Sequence, residues 1–188
     1  MHGKQVAYLM GAFLVSALLL TGCQFGTDED SRATMSGEDA SAARFAELSD
    51  AISGSDAEAL TSAFSEEARS QDGDLAEQAG DLISAVGGGS LTPDQGVNTQ
   101  GSVPSGSIYV VSRATITAQD GSRWLLNVVD CTYNEDEPKK VGLWAMDLYP
   151  AEQPDEPESY TSSGVGSDPG IVVVRTWEEW RSEHPHAS

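Results

Sequence analysis

Two aspartates offer the most direct chemistry in this sequence. Asp130 ends the run Trp124-Leu125-Leu126-Asn127-Val128-Val129-Asp130, and Asp147 ends Val141-Gly142-Leu143-Trp144-Ala145-Met146-Asp147. Both runs alternate as strands do. Asp130 therefore continues the face of Trp124, Leu126 and Val128, and Asp147 that of Val141, Leu143 and Ala145. If those faces turn toward one cavity, two carboxylates point into it, and one could serve as a general base. The plainer reading places both at strand ends, reaching water or bonding to Tyr109, Tyr133 or an arginine. A buried carboxylate needs such partners, because its desolvation is costly. Register bears on the choice. Pairing Tyr133 with Val141 sets Asp147 opposite Asn127 and Asp130 opposite Trp144, on opposite faces of the sheet, and a one-residue slip would reunite them.

Other reactive groups carry less. Cys131 lies among Val128, Val129 and Tyr133 and reads as a small buried apolar residue. A nucleophilic cysteine wants a histidine close by, and the histidines are His2, His184 and His186, at the two extremes. Gly87-Gly88-Gly89 follows a helical pattern and so reads as a helix stop, not as a phosphate cradle. Glu135-Asp136-Glu137 and Asp155-Glu156 lack the alternating ligand spacing of a calcium loop and read as solvated surface. His184-Pro185-His186 reads as part of a frayed tail. Trp177 and Trp180, three apart, would share a helical face and pack. No metal and no cofactor is expected.

The other cysteine sets the address. A weakly basic start with His2 and Lys4 precedes an apolar stretch from Val6 to Leu20. That stretch is short of the roughly 20 apolar residues a membrane span needs, and the pattern is that of a secretory signal peptide. Leu20-Thr21-Gly22-Cys23 resembles the lipobox of bacterial lipoproteins. The resemblance implies that Cys23 receives a diacylglycerol and becomes the first residue of the mature chain. One acyl chain anchors a protein only marginally, whereas two hold it stably. The expected location is extracytoplasmic, anchored by lipid to a bacterial membrane at the cell surface.

Composition limits the partners. The formal charge is −20 over 188 residues, and loss of Lys4 with the signal peptide makes the mature chain more negative still. Such a surface repels nucleic acid, and it suits an exported, solvated protein. With Cys23 acylated, Cys131 has no disulfide partner.

The elements that must position these residues follow in order. Residues 1–22 are the signal peptide, and residues 23–38, small and acidic, form a flexible tether. A single domain spans 39–180, followed by a frayed tail at 181–188. Phe45, Leu48 and Ile52 fall at helical spacing, and Gly54 stops that run. Ser55 and Glu58 read as a capping box opening a second helix with Leu60 and Phe64 on one face. Asp74 opens a third, whose stripe is Leu75, Ala79, Leu82, Ile83 and Val86. Residues 87–106, rich in Gly, Ser, Thr and Pro, read as a loop. Three strands are predicted at Ile108–Ala118, Arg123–Tyr133 and Val141–Tyr149, the first two joined at Asp120-Gly121. An irregular excursion covers 150–169. Ile171–Val174, wholly apolar, reads as a central strand, and Trp177 begins a last helical turn. Helices followed by antiparallel strands predict an α+β fold, with the N-terminal helices packed on one face of a sheet.

That order resembles the nuclear transport factor 2-like (cystatin-like) superfamily and, more narrowly, a group of small bacterial lipoproteins with a domain of undefined function. The resemblance rests on Ala51-Ile52-Ser53-Gly54-Ser55-Asp56-Ala57-Glu58-Ala59-Leu60 with Phe64-Ser65, on the third helix and its glycines, on Trp124-Leu125-Leu126-Asn127-Val128-Val129, and on Gly170-Ile171. It covers about residues 39–176, with 150–169 as an insertion. It implies a curved, cone-like sheet filled by the helices, and it brings no catalytic residues. The function expected is a binding or interaction module at the cell surface, with a small molecule or a cell-envelope protein as ligand. An enzyme using a pocket carboxylate as general base is the alternative.

Overall fold

The computed structural model describes residues 35–151 and 163–183. The expected signal peptide, Cys23 with the stretch that resembles a lipobox, most of the expected tether, Asp155-Glu156 and His184-Pro185-His186 lie outside the described residues. The fold is α+β: among the described residues, four helices, then a five-stranded sheet, then a short helix.

Helix α1 (Gly37–Ser53) starts two residues before the domain boundary expected at 39, because Ser36 caps it by accepting from the Asp39 N–H at 3.1 Å. Its buried side includes Arg44, Phe45, Leu48 and Ile52. Helix α2 (Ala57–Ser62) is capped by Asp56, which accepts from the Ala59 N–H at 2.8 Å. The expected Ser55 cap is therefore displaced by one residue, and Ser55 instead takes the left-handed turn after α1, with φ at 53°. A third short helix, α3 (Glu66–Gln71), was not foreseen; Ser65 caps it through the Ala68 N–H. Helix α4 (Leu75–Val86) buries Leu75, Ala79, Leu82 and Val86, as its stripe predicts.

The sheet runs in sequence order: β1 (Ser90–Ser102), β2 (Ser107–Thr117), β3 (Arg123–Asn134), β4 (Gly142–Pro150) and β5 (Gly170–Val173). The first four are antiparallel neighbours, and β5 lies parallel to β4. Two expectations are corrected here. The supposed loop at 87–106 contains the thirteen-residue strand β1. As an edge strand with an exposed outer side, it needs no apolar alternation, which is why its composition hid it. Its ladder breaks between Pro93 and Val97, where extra residues bulge out. Strand β5 is an edge strand and not a central one. Its free side is covered from α4, where Gln78 Oε1 accepts from the Ile171 N–H at 2.7 Å while Gln78 Nε2 donates to Asp72.

The main core lies between the helices and one sheet face. Leu48, Ile52, Leu60, Phe64 and Leu82 meet Ala114, Ile116, Leu126, Val128, Met146 and Leu148 there. A smaller cluster of Tyr149, Val174 and Trp177, with Leu125 against it, covers the other face beneath α5 (Trp177–Glu183).

Candidate functional site

Strand alternation through Trp124, Leu126 and Val128 does carry Asp130 to the helix side. There its Oδ1 accepts from Arg44 Nη2 at 2.8 Å, and both residues are 4 % exposed. Asp147 goes the other way. It pairs with Asn127 across β3 and β4, the register expected from the turn. Its Oδ1 accepts from Ser163 Oγ at 2.8 Å, and its Oδ2 accepts from Asn127 Nδ2 at 3.2 Å and from the Ser163 N–H. The two aspartates therefore lie on opposite faces of the sheet and do not share a cavity.

A bulge in β4 lies between the partners of the two aspartates. Val129 pairs with Ala145 and Asp130 with Leu143, so Trp144 is left without a partner. Simple alternation groups Leu143 with Ala145 and Asp147. The bulge breaks that group, returning Leu143 to the face of Asp130 and leaving Ala145 and Asp147 on the face of Asn127. The freed Trp144 donates its indole N–H to the Ser167 carbonyl at 2.8 Å, and Lys140 Nζ sits 5.6 Å above its ring.

Each aspartate holds another side chain in place. Asp147 fixes Asn127, which lines a groove of about 470 Å³ with Asp94, Gly96, Asn98 and Arg113. Burial pushes the Asp147 carboxyl above its ordinary pKa, against the pull of the Ser163 and Asn127 hydrogen bonds. Asp130 fixes Arg44, which lines a cleft of about 460 Å³ between α1, the α2–α3 link and the Pro138–Lys140 turn. The charged groups on that cleft are Arg44, Glu47, Glu66, Arg69 and Lys139, with Pro138 and Val141 among its apolar residues.

Arg44 lies buried in the wall of the cleft. Its Nη1 donates to Glu47 Oε2 at 2.5 Å and to the Ala63 carbonyl at 3.4 Å, while Nε is buried without a partner. Burial alone would weaken the guanidinium's hold on its proton. The charges and hydrogen bonds of Asp130 and Glu47 outweigh it, and the net shift is upward. At the rim, Lys139 Nζ lies 2.7 Å from Glu66 Oε1, both exposed. That hydrogen bond lowers the Glu66 pKa and raises that of Lys139. The cleft floor depends on Gly142, where the backbone of Ser65 passes: Ser65 N–H donates to the Leu143 carbonyl at 2.9 Å, and Leu143 N–H to Ala63 at 3.2 Å.

Arg44, Glu47, Arg69 and Lys139 were not singled out from the sequence. A signal for Arg44 exists: Ala40, Arg44, Leu48 and Ala51 fall at helical spacing on the buried stripe of α1, so a charge interrupts an apolar row. Cys131 is buried, with its Sγ 3.5 Å from the Tyr133 carbonyl. Desolvation pushes its thiol up to about 11, which fits packing and not nucleophilic attack. Trp177 packs against Tyr149, ring centroids 5.8 Å apart. Glu135, Asp136 and Glu137 are exposed, and among the described residues no three His, Cys, Asp or Glu side chains gather as metal ligands would.

Residues 47–151 match a family described as a domain of unknown function (DUF5104). The matched stretch contains both aspartates and every charged residue of the cleft except Arg44. No curated protein matches the chain.

Proposed function

The chain belongs to the DUF5104 family, and we propose that it is a lipid-anchored binding module at the cell surface, its ligand seated in the Arg44 cleft. Diacylglycerol on Cys23 would hold it at the membrane, in keeping with the lipobox resemblance of Leu20-Thr21-Gly22-Cys23. The observation that carries the binding reading is the arrangement of Arg44. A guanidinium fixed from behind by a buried carboxylate, and set in the wall of a cleft, is a preorganised recognition group. The cleft volume suits a small molecule. With Asp130 or Asp147 as the base, the alternative of a pocket carboxylate acting as general base loses its premise. Asp130 is engaged by Arg44, and Asp147 by Asn127 and Ser163 on the other face.

The test is co-purification. Full-length lipidated protein, extracted from its own membranes in detergent, is heat-released and its small-molecule content read by mass spectrometry. Ser62 is exposed and lines the cleft, so Ser62→Trp fills it without touching the core. A compound present with the wild type and missing from a folded Ser62→Trp supports the reading. Identical contents in both would refute it.

A further inference from the structure

Three of the ten lysines and arginines of a chain with net charge −20 line one cleft: Arg44, Arg69 and Lys139. Each of the two outermost sits beside Glu66, by a 2.7 Å contact for Lys139 and through its charge for Arg69. The innermost has two carboxylates, and they are not equivalent. Asp130 is buried with Arg44, side-chain exposures being 5 % and 3 %. Removing it would strand a buried charge. Glu47 reaches the same guanidinium from the next turn of α1, and its side chain is 46 % exposed. A half-solvated ion pair contributes little, and water or another anion replaces either partner easily.

One carboxylate already neutralises Arg44. The second adds a negative charge in the cleft wall that Arg44 does not require. It occupies the side of the guanidinium that an incoming anion would use. When Glu47 swings out, Nη1 keeps its contact with the Ala63 carbonyl and Nη2 keeps Asp130. The guanidinium stays aimed, and the Nη1 hydrogen that Glu47 leaves is the donor open to an anion. Beside it, Val141 and Pro138 supply apolar surface, and Arg69 and Lys139 add positive charge at the rim.

Building on the cleft as the binding site, we propose that its ligand bears a carboxylate on a short apolar body, and that Glu47 holds the place this carboxylate takes on Arg44. Glu47 is then an internal competitor. Its release sets the affinity, and Asp130 acts as a positioning residue throughout.

The probe is glutarate, a short dicarboxylate, with glutaramide as the uncharged match. Both are titrated by calorimetry into the full-length lipidated protein in detergent. Glutarate is expected to bind the wild type and glutaramide is not. Glu47→Gln keeps a hydrogen-bond acceptor but removes the competing charge, so glutarate should bind it about tenfold more tightly. Arg44→Lys keeps the charge and loses the fixed Nη1 donor, and should lose binding; because Asp130 would also lose its Nη2 partner and the fold could suffer, Glu47→Gln carries the decision. The proposal is overturned if glutarate binds neither wild type nor Glu47→Gln, if glutaramide binds as well as glutarate, or if Glu47→Gln binds glutarate no better than wild type. A compound that still co-purifies with wild type and not with Ser62→Trp would then leave the binding cleft standing and remove only the carboxylate.

Discussion

At Asp147 the cost of burying a carboxylate and the gain from its hydrogen bonds stand against each other, and burial prevails in its raised pKa. The sign of the pH effect follows. A carboxyl whose folded pKa is raised contributes stability below its ordinary pKa of about 3.9, and that contribution is lost as pH rises through the folded value. Asp147→Asn removes this dependence. Its amide oxygen can accept from Asn127 and the Ser163 N–H, and its amide nitrogen can donate to Ser163 Oγ. We expect Asp147→Asn to unfold within about 1 kcal/mol of wild type at pH 7, with a flatter stability profile above pH 4. Asp147→Ala, which strands those donors, should cost about 1–3 kcal/mol. Denaturant titrations across pH check both, and a large loss in the Asn variant would mean that the charge itself is needed. At this scale the sequence was partly legible. It exposed both aspartates and the register that separates them. It did not show Arg44 as the partner of Asp130, because a contact across 86 residues of chain leaves no local pattern.

Among the elements, the helices and the central strands were readable because each has one apolar face with its own period. The stripe of α4 makes a sharp test. Leu82 is fully buried, so Leu82→Asp places an unpaired charge in the core and should abolish folding at 37 °C, checked by circular dichroism. The elements that escaped notice lack such a pattern. Strand β1 is polar and lies at an edge, and α3 is a single short turn set by the Ser65 cap. The β4 bulge escaped because nothing in Leu143-Trp144-Ala145 marks an extra residue. Gly142 shows how tightly that region is built. Its φ is +133°, and an added Cβ would lie 3.0 Å from Ser65 Cα and 3.1 Å from Ser65 N. Gly142→Ala must therefore shift the backbone that enters α3, and should cost about 2 kcal/mol or more. Gly121, with φ +86° in the β2–β3 turn, has open space around it. Gly121→Ala carries only the backbone term, about 1 kcal/mol. Melting temperatures that rank the two in reverse would contradict this packing account.

For the whole molecule, the acidic surface and the fold describe a solvated body, and its proposed place at a membrane rests on residues at the start of the chain. Cys23→Ala should leave the precursor uncleaved at that position and without diacylglycerol, as read by mass spectrometry of the N-terminus. A wild-type chain that begins elsewhere, with a free thiol at Cys23, would remove the anchor. The same variant should bind glutarate as wild type does, since the cleft lies in the folded body.

Burial of Cys131 has a kinetic consequence. If Cys23 carries the proposed lipid, one thiol remains in a chain of two cysteines, and it is closed to solvent in the middle of the sheet. An alkylating reagent can reach it only when the sheet opens. Its labelling rate in native buffer then equals the rate for a free thiol multiplied by the open fraction, when closing is faster than labelling. The chain thus carries its own clock for opening, readable in native buffer without denaturant. Leu82→Asp should run it at the free-thiol rate. A wild-type protein labelled that fast would show that β3 is not protected.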